Sequence, residues 1–293
     1  MKRGATFEFA MLATAILFLL VFAGIPLIYT VILSFQEIDP FKINRIVHEW
    51  VGFENYRDTL GSAKAWSVFS NTVIFLCLSV SIQFVVGFGL ALVFVSRFVG
   101  RDVMRGLFLV SWITPQIAVG IIWVSIFSQK IGILNYALTS LGIVDAPIGW
   151  LTDPDYALYS VTIANIWLGI PFNMIFLTVG LLAIPSNLYE AARMDGANAW
   201  SRFRHVTLPS MIPTIVTVIS LGIIFTLQQF ELFAAMTSGG PAGASLVMQY
   251  WSWEFSFLTF EIGKGSTIAT AMLLFVTVVG GFYVYFSRVD DVV

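Results

Sequence analysis

The chain has 293 residues, 58% of them hydrophobic and 11% charged, with a mean hydropathy of +0.88 and a formal net charge of −2. Soluble domains carry about a quarter charged residues, so this composition defines an integral membrane protein, and its mildly acidic balance excludes a nucleic-acid partner. A single cysteine, Cys77 in an apolar run, allows no intrachain disulfide and suggests no thiolate metal cluster. At about 20 residues per span, the length suits one bundle of six helices with short loops. The expected fold is all-α, a polytopic membrane helical bundle with six transmembrane helices.

Residues 9–36 are uncharged and follow Lys2 and Arg3. The apolar part is too long for a secretory signal, so it reads as an uncleaved first span bent at Pro26. The polar segment 37–64, containing His48, Trp50 and Tyr56, is expected outside. Residues 1–64 thus form a first unit of span and external loop, and residues 65–293 a transmembrane core. The second span is 65–96, where Gly87 and Gly89 allow close helix contact, and the third is 106–129. Residues 130–155 carry Gly, Pro, Asp and Trp150 and are too interrupted to cross. The fourth run, 156–189, exceeds the need of a bilayer, so its end should protrude. The fifth span is 211–230 and the sixth 266–287. Between them, 232–253 is uncharged, but the run TSGGPAG at 237–243 breaks it. Its aromatics Tyr250, Trp251 and Trp253, with Phe255 and Phe257, suit an outer interfacial segment.

Six spans put both termini on one side. A cytoplasmic amino terminus places Lys2, Arg3, Arg97, Arg101, Arg105, Arg193, Arg202, Arg204 and Arg288 inside, nine of the chain's 15 basic residues. Lys42, Arg45, Arg57, Lys64, Lys130 and Lys264, the other six, fall outside. The short loops hold the inside bias, which favours cytoplasmic termini in a cytoplasmic (inner) membrane.

Residues 188–209 are the longest charged segment between two apolar runs. Residues 188–195 contain no Gly or Pro and are rich in good helix formers, Gly196 offers a left-handed helix end, and Asn198 can cap the next helix. Trp200, Phe203, His205 and Val206 recur near helical spacing until Leu208-Pro209 stops the pattern. The segment is a compact helical hairpin at the cytoplasmic surface. The order Glu190-Ala191-Ala192, three residues, Gly196, nine residues, Val206, one residue, Leu208-Pro209 resembles the EAA signature of permease subunits of binding-protein-dependent ABC importers. Val206 stands where that signature has Ile. The resemblance implies the type I ABC importer transmembrane-domain fold. It also implies that the hairpin couples to an ATPase, with Glu190, Ala191, Ala192, Met194, Asp195, Gly196, Trp200, Leu208 and Pro209 as coupling residues. In that arrangement Glu190 pairs with a basic residue, and Met194 or Trp200 fills an apolar pocket.

Other chemistry is missing from the sequence. No intact G-x-x-x-x-G-K-[ST] phosphate loop occurs: Gly263-Lys264-Gly265-Ser266 matches its end, but Leu258 stands where the first Gly is needed. The six runs hold no ionisable residue of the kind ion-coupled transporters keep in their spans; Glu231 lies at the outer end of the fifth. His48 and His205 form no ligand cluster, so no metal site and no catalytic residues are expected and the chain is not read as an enzyme.

A solute path should show as polar and small residues on one face of an apolar helix. Asn165, Leu168, Gly169 and Phe172 follow i, i+3, i+4, i+7 spacing in the fourth run, beside Pro171, and Gly222, Phe225, Thr226 and Gln229 repeat it in the fifth. Amides and rings suit a sugar, whose hydroxyls need hydrogen bonds while its C–H faces stack on aromatics. The same residues also serve plain helix packing, so both readings stand at this level. A third stripe, Trp112, Gln116, Gly120 and Trp123, could complete the wall. The stretches NIWLGIPFNM at 165–174, AIPSNLYEAARMDGA at 183–197 and TSGGPAGAS at 237–245 resemble the carbohydrate branch of these permeases, particularly the maltose-type subunit that lines the sugar cavity. By that resemblance Asn165, Leu168, Gly169, Phe172, Phe225, Thr226 and Gln229 are substrate-binding. A Gln and a Thr stand where the maltose type tends to use Asn, and Phe172 replaces a Tyr. The implied assembly pairs the chain with a second, non-identical permease subunit, two cytoplasmic ATPase subunits that use ATP and Mg, and an external solute-binding protein. The chain itself is expected to bind no cofactor. The competing reading is a non-ABC membrane channel or facilitator.

Overall fold

A computed structural model describes residues 2–38, 48–96 and 98–287, with side chains described between residues 11 and 285. Arg97, Arg288, Lys42 and Arg45, used above in the charge bias, lie outside the described residues. Helix α1 (Lys2–Leu19) passes through a π turn at Leu20–Gly24 into α2 (Ile25–Leu33). Pro26 lies just after this π turn, which loosens the backbone ladder where Pro26 lacks a donor. The two-residue strands β1 (Gln36–Glu37) and β2 (Glu49–Trp50) pair antiparallel. The outer segment continues as α3 (Glu54–Leu60).

Helix α4 (Ala63–Val95) is a full span. The third span is not one helix: α5 (Arg101–Ile113) and α6 (Gln116–Ile126) meet at 98°. The cause is Pro115, which forces Thr114 into an extended conformation at ψ 133°. After α7 (Ile133–Ser140) comes α8 (Pro154–Ala183), started by the Asp153 side chain, which accepts from the Asp155 amide at 2.9 Å. The expected run to residue 189 is likewise divided. Pro185 holds Ile184 extended at ψ 123°, so the chain turns there before α9 (Ser186–Met194).

Helix α10 (Ala199–Arg202) continues through a π turn, Phe203–Thr207, into α11 (Leu208–Leu227). Leu208-Pro209 therefore does not stop the second arm of the hairpin. The π turn loosens the backbone ladder where Pro209 lacks a donor, and Ala199–Leu227 runs as a single candidate span. The segment 232–253 breaks in the middle, as α12 (Glu231–Met236) and α13 (Met248–Trp253). Its aromatics divide: Tyr250 and Trp251 are buried, Trp253 and Phe255 half-buried and Phe257 exposed. A π turn at Glu254–Leu258 precedes the last span, α14 (Ile262–Ser287). Among the described residues, five stretches are long and apolar enough to cross a membrane, or six with the bent pair counted as one.

The chain forms two compact units. The first takes Met1–Trp66 and Trp251–Leu274. Its interior joins α2, α3 and α14 through polar bonds: Asn55 Nδ2 donates to the carbonyls of Ser34 (3.1 Å) and Gln36 (3.0 Å), and Thr267 Oγ1 of α14 reaches that of Ser34 (3.4 Å). By contrast, no residue of the most apolar window within Met11–Leu33 is buried, so this span leaves apolar side chains exposed on all sides.

The second unit takes Ser67–Tyr250 and Phe275–Val293 and centres on α8, the span with the largest buried share. Helices gain no hydrophobic free energy by leaving lipid tails for one another, so close approach and internal polar bonds must hold them. Gly87 on α4 lies directly against Asn173 of α8, and a Cβ on Gly120 of α6 would come within 2.6 Å of Ala235 on α12. Gly89, expected to serve the same purpose as Gly87, faces open space. Towards the hairpin end a cluster of Phe88, Phe172, Leu177, Leu181, Met211 and Val218 packs α4, α8 and α11 together.

Candidate transport site and hairpin

The centre of α8 is organised by amides around Pro171, the one proline inside this helix. Proline removes a backbone donor there. Gln83 of α4 donates from Nε2 to the Asn165 carbonyl at 2.8 Å, and its amide fills the space beside Gly169 that any larger side chain would need. Asn173 Nδ2 donates to the Gly169 carbonyl at 3.0 Å. Asn165 itself is 5% exposed, and its Nδ2 has no hydrogen-bond partner. Leu168 and Phe172 are also buried, so the four predicted α8 residues share an inward face.

The α11 set divides. Thr226 is buried, whereas Phe225, one residue earlier and about 100° round the helix, is 51% exposed. Gln229 is not on the helix, because α11 ends at Leu227 and Gln228 caps it. It is nonetheless 4% exposed, again with an unpartnered amide nitrogen, Nε2. Phe225 and Phe172 meet edge to face at 5.4 Å, and Trp112 of α5 adds a third ring at 6.0 Å from Phe172. The third stripe does not form a single face. The 98° break parts Trp112 from Gln116, Gly120 and Trp123, and Gly120 packs on α12. Gln83 and Asn173 were missed by the stripe argument. The signal for Gln83 was an amide in the middle of the apolar run SVSIQFVV.

The hairpin presents the reverse pattern. Gly196 closes α9 at φ 80°, a left-handed conformation that glycine adopts at no steric cost. The amide of Gly196 then donates to the Arg193 carbonyl (3.0 Å) and that of Ala197 to the Ala192 carbonyl (2.9 Å), the paired bonds of a Schellman end. Asn198 Oδ1 accepts from the Ser201 amide at 2.8 Å and starts α10. Tyr189 Oη and Thr207 Oγ1, 2.9 Å apart, tie the two arms. Glu190, Ala191 and Asp195 are exposed and Ala192 half-buried, while Met194 at 89% and Trp200 at 69% offer large apolar surfaces to the surroundings. Leu208 is half-buried and Pro209 exposed at the head of α11.

A bundle of apolar spans with a buried amide-lined helix and a water-facing hairpin is the membrane component of a transporter. Residues 83–289 match the family described as Binding-protein-dependent transport system inner membrane component, and the chain belongs to that family. It is therefore an ABC importer permease, a transporter subunit and not the catalyst of the system. It is 32% identical to the trehalose/maltose transport system permease protein MalF of Thermococcus litoralis, over 93% of this chain and 91% of that one. It is 29% identical to the diacetylchitobiose uptake system permease protein DasB of Streptomyces coelicolor, over 98% and 88%. Among solved structures, a chain of a bacterial ABC transporter involved in the import of the acidic polysaccharide alginate superposes with a TM-score of 0.80, covering 98% of this chain and 96% of its own, at 21% identity. That likeness carries the fold. The channel or facilitator reading is not favoured by any of these relatives.

Proposed function

We propose that this chain forms one wall of a sugar path in an ATP-driven importer, with Asn165, Leu168, Gly169, Phe172, Phe225, Thr226 and Gln229 facing the solute. The observation that carries this reading is the pair of buried, unpartnered amide donors on Asn165 and Gln229, together with the rings of Trp112, Phe172 and Phe225. Buried polar groups are almost always bonded, so an orphaned donor points to a ligand or to a change of conformation that supplies its acceptor. The relatives named for trehalose, maltose and diacetylchitobiose support a carbohydrate.

Phe225, half exposed on α11, leaves the wall open on one side, and a second permease subunit closes it. Two cytoplasmic ATPase subunits using ATP and Mg drive the cycle, and an external binding protein delivers the solute. The exposed Met194 and Trp200 seat in an ATPase groove beside Glu190, so that closure of the ATPase pair tilts α8 and α11 through the arms of the hairpin. Both termini lie in the cytoplasm. The direct test is reconstitution with binding protein and ATPase subunits: a saccharide of the relatives' type should stimulate ATP hydrolysis and enter the vesicle, and failure of every saccharide to do either sinks the reading. Reporters fused after Arg101 or Ser201 should read cytoplasmic, and after His48 or Gly240 external. An external reading at Ser201 would reject the docking model.

A further inference from the structure

The amides around α8 differ in what they still have to offer. Gln83 and Asn173 have committed donors to carbonyls of α8, whereas Asn165 Nδ2 and Gln229 Nε2 hold unused ones. Ser79, one turn from Gln83 on α4, is fully buried and its hydroxyl is likewise unpartnered. Among the described residues of the second unit, the buried polar side chains are amides and hydroxyls; none carries a formal charge. The described cations of the second unit stand elsewhere. Arg101 pairs with Asp102 at 3.3 Å, Arg105 donates to the Phe94 carbonyl at 3.3 Å, Lys130 follows α6, and Arg193, Arg202 and Arg204 belong to the hairpin. No Lys or Arg occurs in Pro154–Ala183 or Leu208–Leu227.

We infer that the solute facing α8 and α11 is an uncharged polyhydroxylated molecule, and that this wall disfavours acidic sugars. The inference rests on the carbohydrate path proposed above and gives it a charge class. Neutral amide donors suit hydroxyl oxygens, which accept hydrogen bonds without bringing a charge that must be balanced. A carboxylate or sulfonate would lose its hydration with no cation on this wall to replace it, and burial of an unpaired charge is far more costly than burial of a hydroxyl. The rings act in the same direction. Their faces carry partial negative charge, which attracts the C–H face of a neutral pyranose and repels an anion.

The test uses the whole transporter, purified without its binding protein into nanodiscs, so that the binding protein's own selectivity does not enter. Saturation-transfer NMR then compares trehalose, maltotriose and diacetylchitobiose with trigalacturonate. A neutral saccharide should bind roughly a hundredfold more tightly than the uronate in wild type, the scale expected for an unpaired buried charge. Gln229→Arg, or Gln229→Lys if the first fails to assemble, should narrow that ratio by about tenfold or more by supplying a cation. Uronate binding equal to or tighter than the neutral saccharides in wild type overturns the charge class and leaves the carbohydrate path standing. If no member of either set binds, both fall. The wild-type comparison decides without any variant.

Discussion

The hairpin around Gly196 and the inward face of α8 use unusual residues in opposite ways. In the hairpin Glu190, Arg193, Asp195 and Arg204 are exposed, and the informative residues are Met194 and Trp200, large apolar side chains left outside. On α8 the apolar residues are unremarkable, and the informative ones are Asn165 and its amide neighbours, polar side chains taken inside. On the reading proposed above, the exposed apolar surface of the hairpin is a docking face and the buried unpartnered donors beside α8 form a ligand face. The hairpin is joined to α11 by continuous helix through Leu208 and Pro209, since α10 runs on into α11, whereas the helix breaks at Ile184-Pro185 between it and α8. On the coupling proposed above, that continuity would give the hairpin a lever on α11 that a loop would lack.

The sharpest way to break the comparison is to destroy one region and watch the other. Gly196→Pro forces φ from 80° to about −65° and removes the amide that donates to the Arg193 carbonyl. Uptake by the reconstituted transporter should fall to background and association with ATPase subunits should weaken, while the permease stays in the membrane and binds saccharide as before. Glu190→Lys should do the same if Glu190 faces a basic partner. Normal uptake with ATPase still attached in either variant would remove the hairpin from coupling.

Next in size are Asn165→Leu and Gln229→Leu. Each loses a donor that a buried hydroxyl would use, and saccharide binding should weaken by about 1–3 kcal/mol, roughly 5- to 150-fold. ATPase assembly and basal hydrolysis should be unchanged. The check is uptake of several saccharides by assembled variants. Loss that is uniform across saccharides and follows protein level returns these residues to simple packing.

Gln83→Leu separates scaffold from ligand face. It deletes the 2.8 Å bond to the Asn165 carbonyl and puts a branched side chain against Gly169, so thermal stability in detergent should drop by about 1–2 kcal/mol. Saccharide preference should persist in the protein that remains folded. A changed preference at full stability would instead make Gln83 a contact of the solute. The smallest effect is expected for Asn198→Ala. It removes one exposed cap at 2.8 Å, worth about 1 kcal/mol locally, and should reduce coupled ATP hydrolysis only partly. Loss as complete as that of Gly196→Pro would show that the start of α10, and not the turn, is the critical joint.

Much of this was legible from local chemistry. Long apolar runs can be satisfied only as helices in lipid, so the positions of α4, α8, α11 and α14 follow from composition, and the Gly196 turn and the Asn198 cap follow from two residues with narrow conformational roles. Glu190-Ala191-Ala192 to Pro209 was sufficient to suggest the family. Where the sequence reading failed, a proline had an effect that spacing does not show. Pro115 turned one expected span into two helices at 98° and dispersed the stripe from Trp112 to Trp123, Pro185 ended α8 early, and Pro209 stopped nothing because a π turn accommodated it.

Tertiary structure alone decided which polar residues keep a free donor. Gln83, Asn165 and Asn173 look alike in sequence, as amides in apolar helices. Only packing shows that Gln83 and Asn173 are consumed by carbonyls of α8 while Asn165 and Gln229 are not, because a hydrogen bond depends on an acceptor within about 3 Å, and that acceptor is set by neighbours up to 82 residues away in the chain.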